Sequence, residues 1–190
     1  MPKLYFRYGV MSSSKTANLL MVSHNYKIQN KKILLIKPKL DDRYDISIIK
    51  SRTGMKTNAD LIIYNTYDLL NNSIVYSEYN CILVDEVQFL SVEQINQLRI
   101  ITMYTPVICY GLRTDYKSNL FPASKRLLEI SDTIEEIKTT CYFCDKKAII
   151  NMKYSGKKII KEGSNDIDIG AEEKYLGSCW SCWYLKTELE

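Results

Sequence analysis

The chain has 190 residues, 46% of them hydrophobic, and its net charge is +4. Its length predicts one α/β domain with a small appendage. Its small net charge excludes a strongly basic nucleic-acid-binding chain. No apolar run approaches the ~18 residues of a membrane span. The N-terminus also lacks the apolar segment of a signal peptide, so we expect a cytoplasmic protein with no membrane partner and no nucleic-acid partner.

The first motif follows a short predicted strand at residues 3–8 and begins a predicted helix. It reads GVMSSSKT and matches the phosphate-binding P-loop, G-x-x-x-x-G-K-[ST], except that Ser14 replaces the second glycine. In such a loop, backbone N–H groups and the start of the helix bind phosphates. An ordinary polar turn before a helix is the alternative. The predicted ATP-binding residues of this loop are Gly9, Val10, Met11, Ser12, Ser13, Ser14, Lys15 and Thr16.

The helix that begins at Lys15 carries an apolar stripe with the i, i+3, i+4 spacing of an amphipathic helix. The stripe predicts a core-facing set that includes the single histidine of the chain: Ala17, Leu20, Met21, His24 and Ile28. In this interpretation His24 is a packing residue and not a catalytic group.

A second motif lies where the apolar run at residues 81–84 meets Asp85 and Glu86. An apolar strand that ends in aspartate is the Walker B pattern, which a P-loop requires to hold Mg²⁺. Glu86 is then a candidate to accept a proton from a nucleophile. A pair of surface carboxylates after a strand is the alternative, but the presence of both motifs in one chain favours the Mg²⁺ site.

Strand and helix patterns alternate along the first 140 residues. Apolar runs predict strands at residues 33–36, 61–64, 106–111 and 134–139, and a capping box at Ser91 and Gln94 begins one of the helices between them. This alternation predicts a mainly parallel sheet with right-handed crossovers. Asp41, Asp42 and Arg43 follow the second strand, where α/β proteins place ligand groups, although a charged surface loop is the alternative.

Two C-x-x-C pairs occur near the C-terminal end of the sequence. Thiolate pairs at this spacing fit tetrahedral Zn²⁺, and in a reducing compartment metal ligation is favoured over disulfides. A redox dithiol is the alternative, but it needs one pair and not two. Residues 157–169 between the pairs are predicted to be a flexible excursion. The predicted zinc ligands are Cys141, Cys144, Cys179 and Cys182.

With these motifs the chain resembles the type II thymidine kinase family along nearly its whole length. The segments that carry the resemblance include Asp41–Tyr44, Val84–Phe89, Tyr110–Asp115, Leu120–Pro122, Ile169–Gly170 and Tyr175 before Cys179. The resemblance implies a RecA-like P-loop kinase domain at residues 1–140. It also implies a zinc-binding domain at residues 141–190, with a lasso loop over the nucleoside.

The same resemblance implies that ATP with Mg²⁺ donates its γ-phosphate to thymidine or deoxyuridine, in nucleotide salvage for DNA synthesis. It further implies a homotetramer and feedback inhibition by thymidine triphosphate. Loss of zinc is expected to weaken nucleoside binding and to leave the P-loop unaffected. Two other functions are weighed against this one: a P-loop ATPase with water as acceptor, and a non-enzymatic zinc-ribbon module that binds nucleic acid.

Family roles are assigned only to matching positions. Glu86 resembles the general base, and Arg43 resembles the group that stabilises charge on the transferring phosphoryl group. The Mg²⁺ ligands implied are Thr16, Asp85 and, through water, Asp41; Asp85 and Gln88 complete the ATP site. The implied nucleoside-binding residues are Met11, Leu112, Tyr116, Phe121, Asp168, Ile169, Gly170 and Tyr175. The chain departs from the family at Ser14, at Tyr116, where phenylalanine is common, and at Asp168 and Ala171.

Overall fold

The structure is a computed structural model that describes residues 1–39, 47–155, 158–160 and 175–188. Its helices and strands, in chain order, are β1 (Leu4–Tyr8), α1 (Lys15–Ile28), β2 (Ile33–Pro38), β3 (Ile48–Lys50), β4 (Lys56–Asn58), β5 (Leu61–Ile63), β6 (Cys81–Val84), α2 (Val92–Ile101), β7 (Val107–Gly111), α3 (Pro122–Ile130), β8 (Thr133–Glu136), β9 (Ile150–Ser155), β10 (Lys158–Ile160), β11 (Tyr175–Ser178) and α4 (Trp180–Glu188).

The main sheet has six strands in the order β5-β2-β6-β7-β1-β8, and every neighbouring pair is parallel. All residues of β2, β6 and β7 are buried, as expected for strands that are covered on both faces. One strand, β7, separates the P-loop strand β1 from β6, which ends at Asp85. This arrangement confirms the predicted RecA-like α/β class with a mainly parallel sheet.

Alternate side chains of each strand enter different cores. From β2, Leu34 and Ile36 join a cluster with the apolar residues of α2 and α3, whereas Leu35 joins Leu19 and Leu20 of α1 on the opposite face. Helices therefore cover both faces of the sheet. The capping box predicted at the start of α2 is present, since Ser91 Oγ accepts from the Gln94 N–H and the Gln94 side chain accepts from the Ser91 N–H.

The predicted core face of α1 is wrong in part. Ala17 and Leu20 are buried, but Met21 is 50% exposed, Ile28 is 65% exposed and His24 is exposed. The reason lies at the start of the helix, where Lys15 turns inward to the P-loop. Residues four and eight positions later share its face, so Leu19 and Ser23 are buried in place of the expected stripe.

The C-terminal part of the described chain forms a second, smaller sheet. Its three strands are antiparallel in the order β10-β9-β11, and α4 follows β11. The flexible excursion expected between the cysteine pairs is wrong at residues 158–160, which pair with β9 as β10; residues 161–174 lie outside the described part. We retain as a proposal the domain boundary between residues 140 and 141, which falls between the two sheets.

Short strands are where the sequence pattern was least informative. The antiparallel hairpin of β3 and β4 was not predicted, and the last strand of the main sheet ends at Glu136, short of the predicted residue 139. Of the helices in the described ranges, none has the length and apolar character needed to cross a lipid bilayer.

Candidate active site and four-thiol cluster

The P-loop leaves β1 and folds back on itself before α1. Ser12 (φ 63°) and Ser14 (φ 65°) both adopt the left-handed conformation. Left-handed residues within a loop make successive backbone N–H groups point into one concave surface, which can bind anions. Within the loop, Lys15 Nζ donates to the Val10 carbonyl at 2.8 Å, and the Ser13 N–H donates to the same carbonyl at 3.3 Å.

Gly9 is required by close packing at the start of this loop. A Cβ atom at position 9 would lie 2.5 Å from the Ile137 carbonyl oxygen and 2.3 Å from Ser13 Oγ. Ser14, which replaces the usual second glycine, has its side chain exposed. The loop therefore accommodates this serine sterically, and what remains is the backbone strain of a left-handed serine.

The two nucleotide-binding motifs meet at the carboxyl edge of the main sheet. Thr16 Oγ1 at the start of α1 lies 3.3 Å from Asp85 Oδ2, and Asp85 is only 4% exposed. A hydroxyl and a carboxylate are the hard oxygen donors that Mg²⁺ takes in phosphate-binding sites. These residues therefore fit an Mg²⁺ ion.

Glu86 follows Asp85 directly and is held by its neighbours. Its backbone is left-handed (φ 48°), and its side chain is 8% exposed. Gln88 Nε2 donates to Glu86 Oε2 at 2.6 Å, while Gln88 Oε1 accepts from the Leu112 N–H at 3.0 Å. Gln88 thus orients the Glu86 carboxylate and ties it to the loop after β7; the predicted role of Gln88 at ATP stays a prediction.

Several predicted nucleoside-binding residues are buried. Leu112, Phe121, Tyr116 and Tyr175 are each less than a tenth exposed. Tyr116 and Tyr175 come from distant parts of the chain, yet the Lys153 ammonium lies 4.6 Å from the centroid of the first ring and 5.9 Å from that of the second. The Tyr116 hydroxyl is buried, and it has no hydrogen-bond partner among the residues that the structure describes.

Five predicted site residues lie outside the described part of the chain, and their roles stay predictions. They are Asp41 and Arg43, which follow β2, and Asp168, Ile169 and Gly170, which precede β11.

The four predicted zinc ligands form one cluster. The sulfur atoms of Cys141, Cys144, Cys179 and Cys182 all lie within 4.8 Å of one another. Cys144 Sγ is 3.7 Å from Cys179 Sγ and 3.6 Å from Cys182 Sγ. A tetrahedral ion with metal–sulfur bonds of ~2.3 Å would separate its ligands by about 3.8 Å. The cluster therefore could hold a metal ion of this kind with little rearrangement.

Backbone hydrogen bonds favour the thiolate form of Cys141, whereas the side-chain hydrogen bond with Cys144 raises the pKa of Cys182 to about 12. Burial raises the pKa of the Cys141 thiol, but N–H groups of Cys179, Phe143 and Cys144 outweigh burial and lower its pKa to about 6. Cys81 and Cys109 differ, because they lie inside β6 and β7 as expected. Burial raises the pKa of Cys81 to about 11 and also raises that of Cys109, so both behave as small apolar residues.

Comparison with known proteins bears on what this arrangement is for. The sequence profile of the family described as "Thymidine kinase" matches residues 2–183. The curated thymidine kinase of Chromobacterium violaceum is 38% identical over 189 residues, covering 97% of this chain and 99% of that protein. The thymidine kinase of Haemophilus influenzae is 39% identical, covering 94% of each chain. The chain belongs to the thymidine kinase family.

The resemblance seen in the sequence is therefore confirmed for this thymidine kinase family member. Among solved structures, the Pif1 helicase of Candida albicans has a TM-score of 0.42 at 11% identity, over 72% of this chain and 36% of that chain. A structural similarity this low indicates nothing about the function of this chain.

Three polar residues near the site of this family member were not predicted. Asn151 and Lys153 lie on β9 and are 2% and 5% exposed. Arg52, in the turn between β3 and β4, donates to Ser12 Oγ of the P-loop. The only sequence signal was the charge of Arg52 in a basic segment; nothing in the local pattern of β9 distinguishes its buried polar residues from exposed ones.

Proposed function

We propose that this protein is an ATP-dependent thymidine kinase, which transfers the γ-phosphoryl group of ATP to the 5′-hydroxyl of thymidine or deoxyuridine. The observation that carries the proposal is the meeting of Thr16, Asp85 and Glu86 at one edge of the sheet. A phosphate loop, a divalent-cation site and a carboxylate base are the parts that phosphoryl transfer to an alcohol requires. Family membership supports the same conclusion.

On the donor side, the P-loop amides and Lys15 would bind the triphosphate, and Thr16 and Asp85 would hold Mg²⁺, with Asp41 acting through water. When bound, Mg²⁺ neutralises charge on the phosphate oxygens. Lys15 is already turned into the loop by the Val10 carbonyl. Its ammonium exchanges this carbonyl for phosphate oxygens as ATP binds, so the cation needs little reorganisation.

On the acceptor side, Glu86 orients the 5′-hydroxyl and accepts its proton. The hydrogen bond from Gln88 keeps the carboxylate in one orientation, which is the main requirement in a reaction that depends on positioning. Arg43 is proposed to stabilise charge on the transferring phosphoryl group. The wall of the nucleoside pocket is formed by Met11, Leu112, Tyr116, Phe121 and Tyr175.

The four-thiol cluster is proposed to hold a structural Zn²⁺ ion. Zinc closes the base of the lasso loop, because Cys179 follows β11, and β11 begins at Tyr175. Four thiolates leave no open position for substrate, which is typical of structural and not catalytic zinc.

The lasso backbone near Asp168, Ile169 and Gly170 is proposed to read the edge of the pyrimidine. Thymine and uracil present an N3–H donor between two carbonyl acceptors. Cytosine presents an acceptor and an amino donor, so two buried groups would be left unpaired. Such mismatches discriminate by as much as ~10⁴–10⁵, whereas the thymine methyl group contributes only ~1–3 kcal/mol.

The test is a phosphorylation assay of the natural deoxynucleosides with ATP and Mg²⁺. Thymidine and deoxyuridine should both be converted to monophosphates, within roughly two orders of magnitude of each other, and deoxycytidine should be nearly inert. An arm without nucleoside measures ATP hydrolysis. Turnover that does not depend on thymidine would contradict the proposal and favour an ATPase.

Assembly, regulation and location belong to the same proposal. A homotetramer would have four times the 22.1 kDa mass of the chain in light scattering. Thymidine triphosphate is proposed as a feedback inhibitor. We propose a cytoplasmic location and a role in nucleotide salvage for DNA synthesis.

A further inference from the structure

Asn151 is a buried polar residue that reaches from the smaller sheet to the main domain. It lies on the central strand β9 and is 2% exposed. Its Oδ1 accepts from the Met11 N–H of the P-loop at 2.7 Å, and its Nδ2 donates to the Thr114 carbonyl at 3.2 Å. Both ends of one carboxamide are therefore bonded to two different loops of the main domain.

The smaller sheet itself does not need this side chain. The backbone of β9 pairs with β11 on one side, where Asn151 is opposite Gly177, and with β10 on the other. An apolar residue of the same size would fill the volume without the cost of burying an amide. The buried carboxamide of Asn151 is therefore explained by its hydrogen bonds to two loops of the main domain.

The contact with Met11 fixes one particular peptide plane. The Val10–Met11 peptide is trans, and in a trans peptide the N–H and C=O groups point in opposite directions. Because Asn151 holds the N–H, the Val10 carbonyl must face the other way, where it accepts from Lys15 Nζ at 2.8 Å. The side chain on β9 thus sets the resting position of the P-loop ammonium through a single rigid unit.

Packing supports the same contact. A Cβ atom built on Gly177 of β11 would lie 3.3 Å from Val10 Cγ2 and 3.8 Å from the Met11 carbonyl oxygen. The backbone of β11 therefore lies against the same two P-loop residues. On the other side, Thr114 belongs to the loop that carries Leu112 and Tyr116, two residues of the proposed nucleoside pocket.

We propose that Asn151 is a positioning residue that holds the donor loop and the acceptor loop against the metal-binding part of the chain. It fixes the Val10–Met11 peptide, and hence Lys15, for the phosphates of ATP. Through Thr114 it also fixes the loop that forms the nucleoside pocket. This inference rests on the proposed function for its catalytic consequence, but the two contacts can be tested without turnover.

The experiment compares Asn151→Leu with Asn151→Asp. Leucine removes both contacts, so dissociation constants for the non-hydrolysable β,γ-imido analogue of ATP and for thymidine should each rise about five- to tenfold, the typical effect of one lost hydrogen bond. Aspartate keeps an oxygen for the Met11 N–H but turns a second oxygen to the Thr114 carbonyl. Asn151→Asp should therefore raise the dissociation constant for thymidine and leave that for the ATP analogue unchanged.

Two further measurements separate positioning from general stability. Hydrogen exchange of a peptide spanning residues 9–16 should accelerate in Asn151→Leu and stay as in the parent protein in Asn151→Asp. Thr187→Val is the matched control, because Thr187 is 8% exposed in the same part of the chain and, within the described ranges, its hydroxyl bonds to the Trp183 and Tyr184 carbonyls of α4. It should leave both dissociation constants unchanged. Metal content is measured in all proteins.

The inference is overturned if Asn151→Leu keeps its metal and its P-loop exchange rate, or if Asn151→Asp weakens both ligands equally. If Asn151→Leu loses its metal or does not fold, the inference is tested by Asn151→Asp, which should weaken binding of thymidine and leave binding of the ATP analogue unchanged. A parent protein that binds the ATP analogue but phosphorylates no deoxynucleoside would contradict the proposed function. The exchange result and the analogue affinity would still decide the role of Asn151.

Discussion

Glu86 is held in a conformation that few non-glycine residues adopt. Its left-handed backbone costs roughly 1–3 kcal/mol, and the hydrogen bond from Gln88 helps to keep the side chain in place. Strain of this kind persists where the surrounding structure over-determines it, as the Gln88–Leu112 contact does here. The protein itself therefore holds the Glu86 carboxylate in one orientation.

Glu86→Gln should preserve this geometry and remove the base. Glutamine keeps an oxygen that accepts from Gln88, so thymidine affinity should stay within about twofold, well below the typical cost of one lost hydrogen bond. Turnover should fall by ~10²–10⁴, the usual contribution of a general base. Steady-state kinetics and equilibrium binding measure the two quantities. Glu78→Gln, at an exposed carboxylate paired with Lys32, is the control. Unchanged turnover in Glu86→Gln would remove this residue from the mechanism.

Ser14→Gly should be neutral or favourable for ATP binding. Serine at φ 65° carries the penalty of a left-handed residue, about 1 kcal/mol, which glycine does not. The unfolding midpoint and the dissociation constant for ATP should therefore stay equal or improve modestly. Asn30→Gly relieves a similar conformation (φ 54°) after α1 and should leave ATP binding unchanged. A large loss of ATP affinity in Ser14→Gly would mean that the serine hydroxyl contacts phosphate.

The sequence supports predictions for residues whose proposed role depends on their immediate neighbours in the chain. The P-loop, Asp85 with Glu86 and the cysteine pairs each occupy a few consecutive positions, so their chemistry can be read from local spacing. Asn151 could not be found in this way, because its partners Met11 and Thr114 are far away in the sequence. Its burial depends on what covers the second face of β9, which no local pattern records.

At the scale of elements, removal of the metal should affect both substrates and not the nucleoside alone. The sequence led us to expect an unaffected P-loop, but β9 and β11 contact Val10 and Met11. Cys182→Ser should therefore lower the zinc content and weaken the binding of ATP as well as that of thymidine.

Emission spectroscopy of bound metal and binding assays of both ligands check this expectation, with Cys109→Ala as the control because that buried thiol lies in β7. A variant without zinc that binds both ligands normally would contradict it.

The start of β1 depends on an ion pair with a measurable pH dependence. Asp132 accepts from the Leu4 N–H at 2.7 Å and pairs with Arg99. The side-chain hydrogen bond from Arg99, with that from Leu4, lowers the pKa of the Asp132 carboxyl. Because the unfolded chain binds this proton more tightly, the contribution is full above the unfolded value of ~3.9 and is lost as pH falls through the folded value.

Asp132→Asn should accordingly lower the free energy of unfolding at neutral pH by about 1 kcal/mol or less, since the pair is partly exposed. The difference between variant and parent should disappear as pH falls below 4. Denaturant titrations at several pH values measure it. Glu129→Gln removes an exposed partner of Arg126 and should change stability less. A difference that grows in acid would contradict the assignment.

Elements were predicted well where the apolar runs are long and continuous. Strands β2, β6 and β7 and the cap of α2 agree with their patterns, because burial on both faces and a local capping box determine them. The short pairs β3–β4 and β9–β10 have only three paired positions each. Such pairs are stabilised by neighbouring segments, so the sequence pattern alone does not predict them. The buried face of α1 also differs from the predicted stripe for a reason outside the helix pattern, because the P-loop fixes the orientation of Lys15 at the start of the helix.

At the scale of the whole molecule, the alternation of strands and helices is enough to predict a parallel sheet, because parallel neighbours require crossover connections. It does not predict the order of the strands. β1 lies between β7 and β8, and Leu4 is paired with Val107 while Tyr5 is paired with Thr133. Such pairings depend on packing between segments that are remote in the chain.

The position of β1 between β7 and β8 has a consequence for protein synthesis. The ribosome makes β1 and the P-loop first, yet their neighbours in the sheet are β7 and β8, and the contacts of Met11 and Val10 come from β9 and β11. Pairings between remote segments form slowly, because the loop must close before any contact is gained. The nascent chain therefore carries its P-loop without the full set of these contacts until translation has passed Gly177.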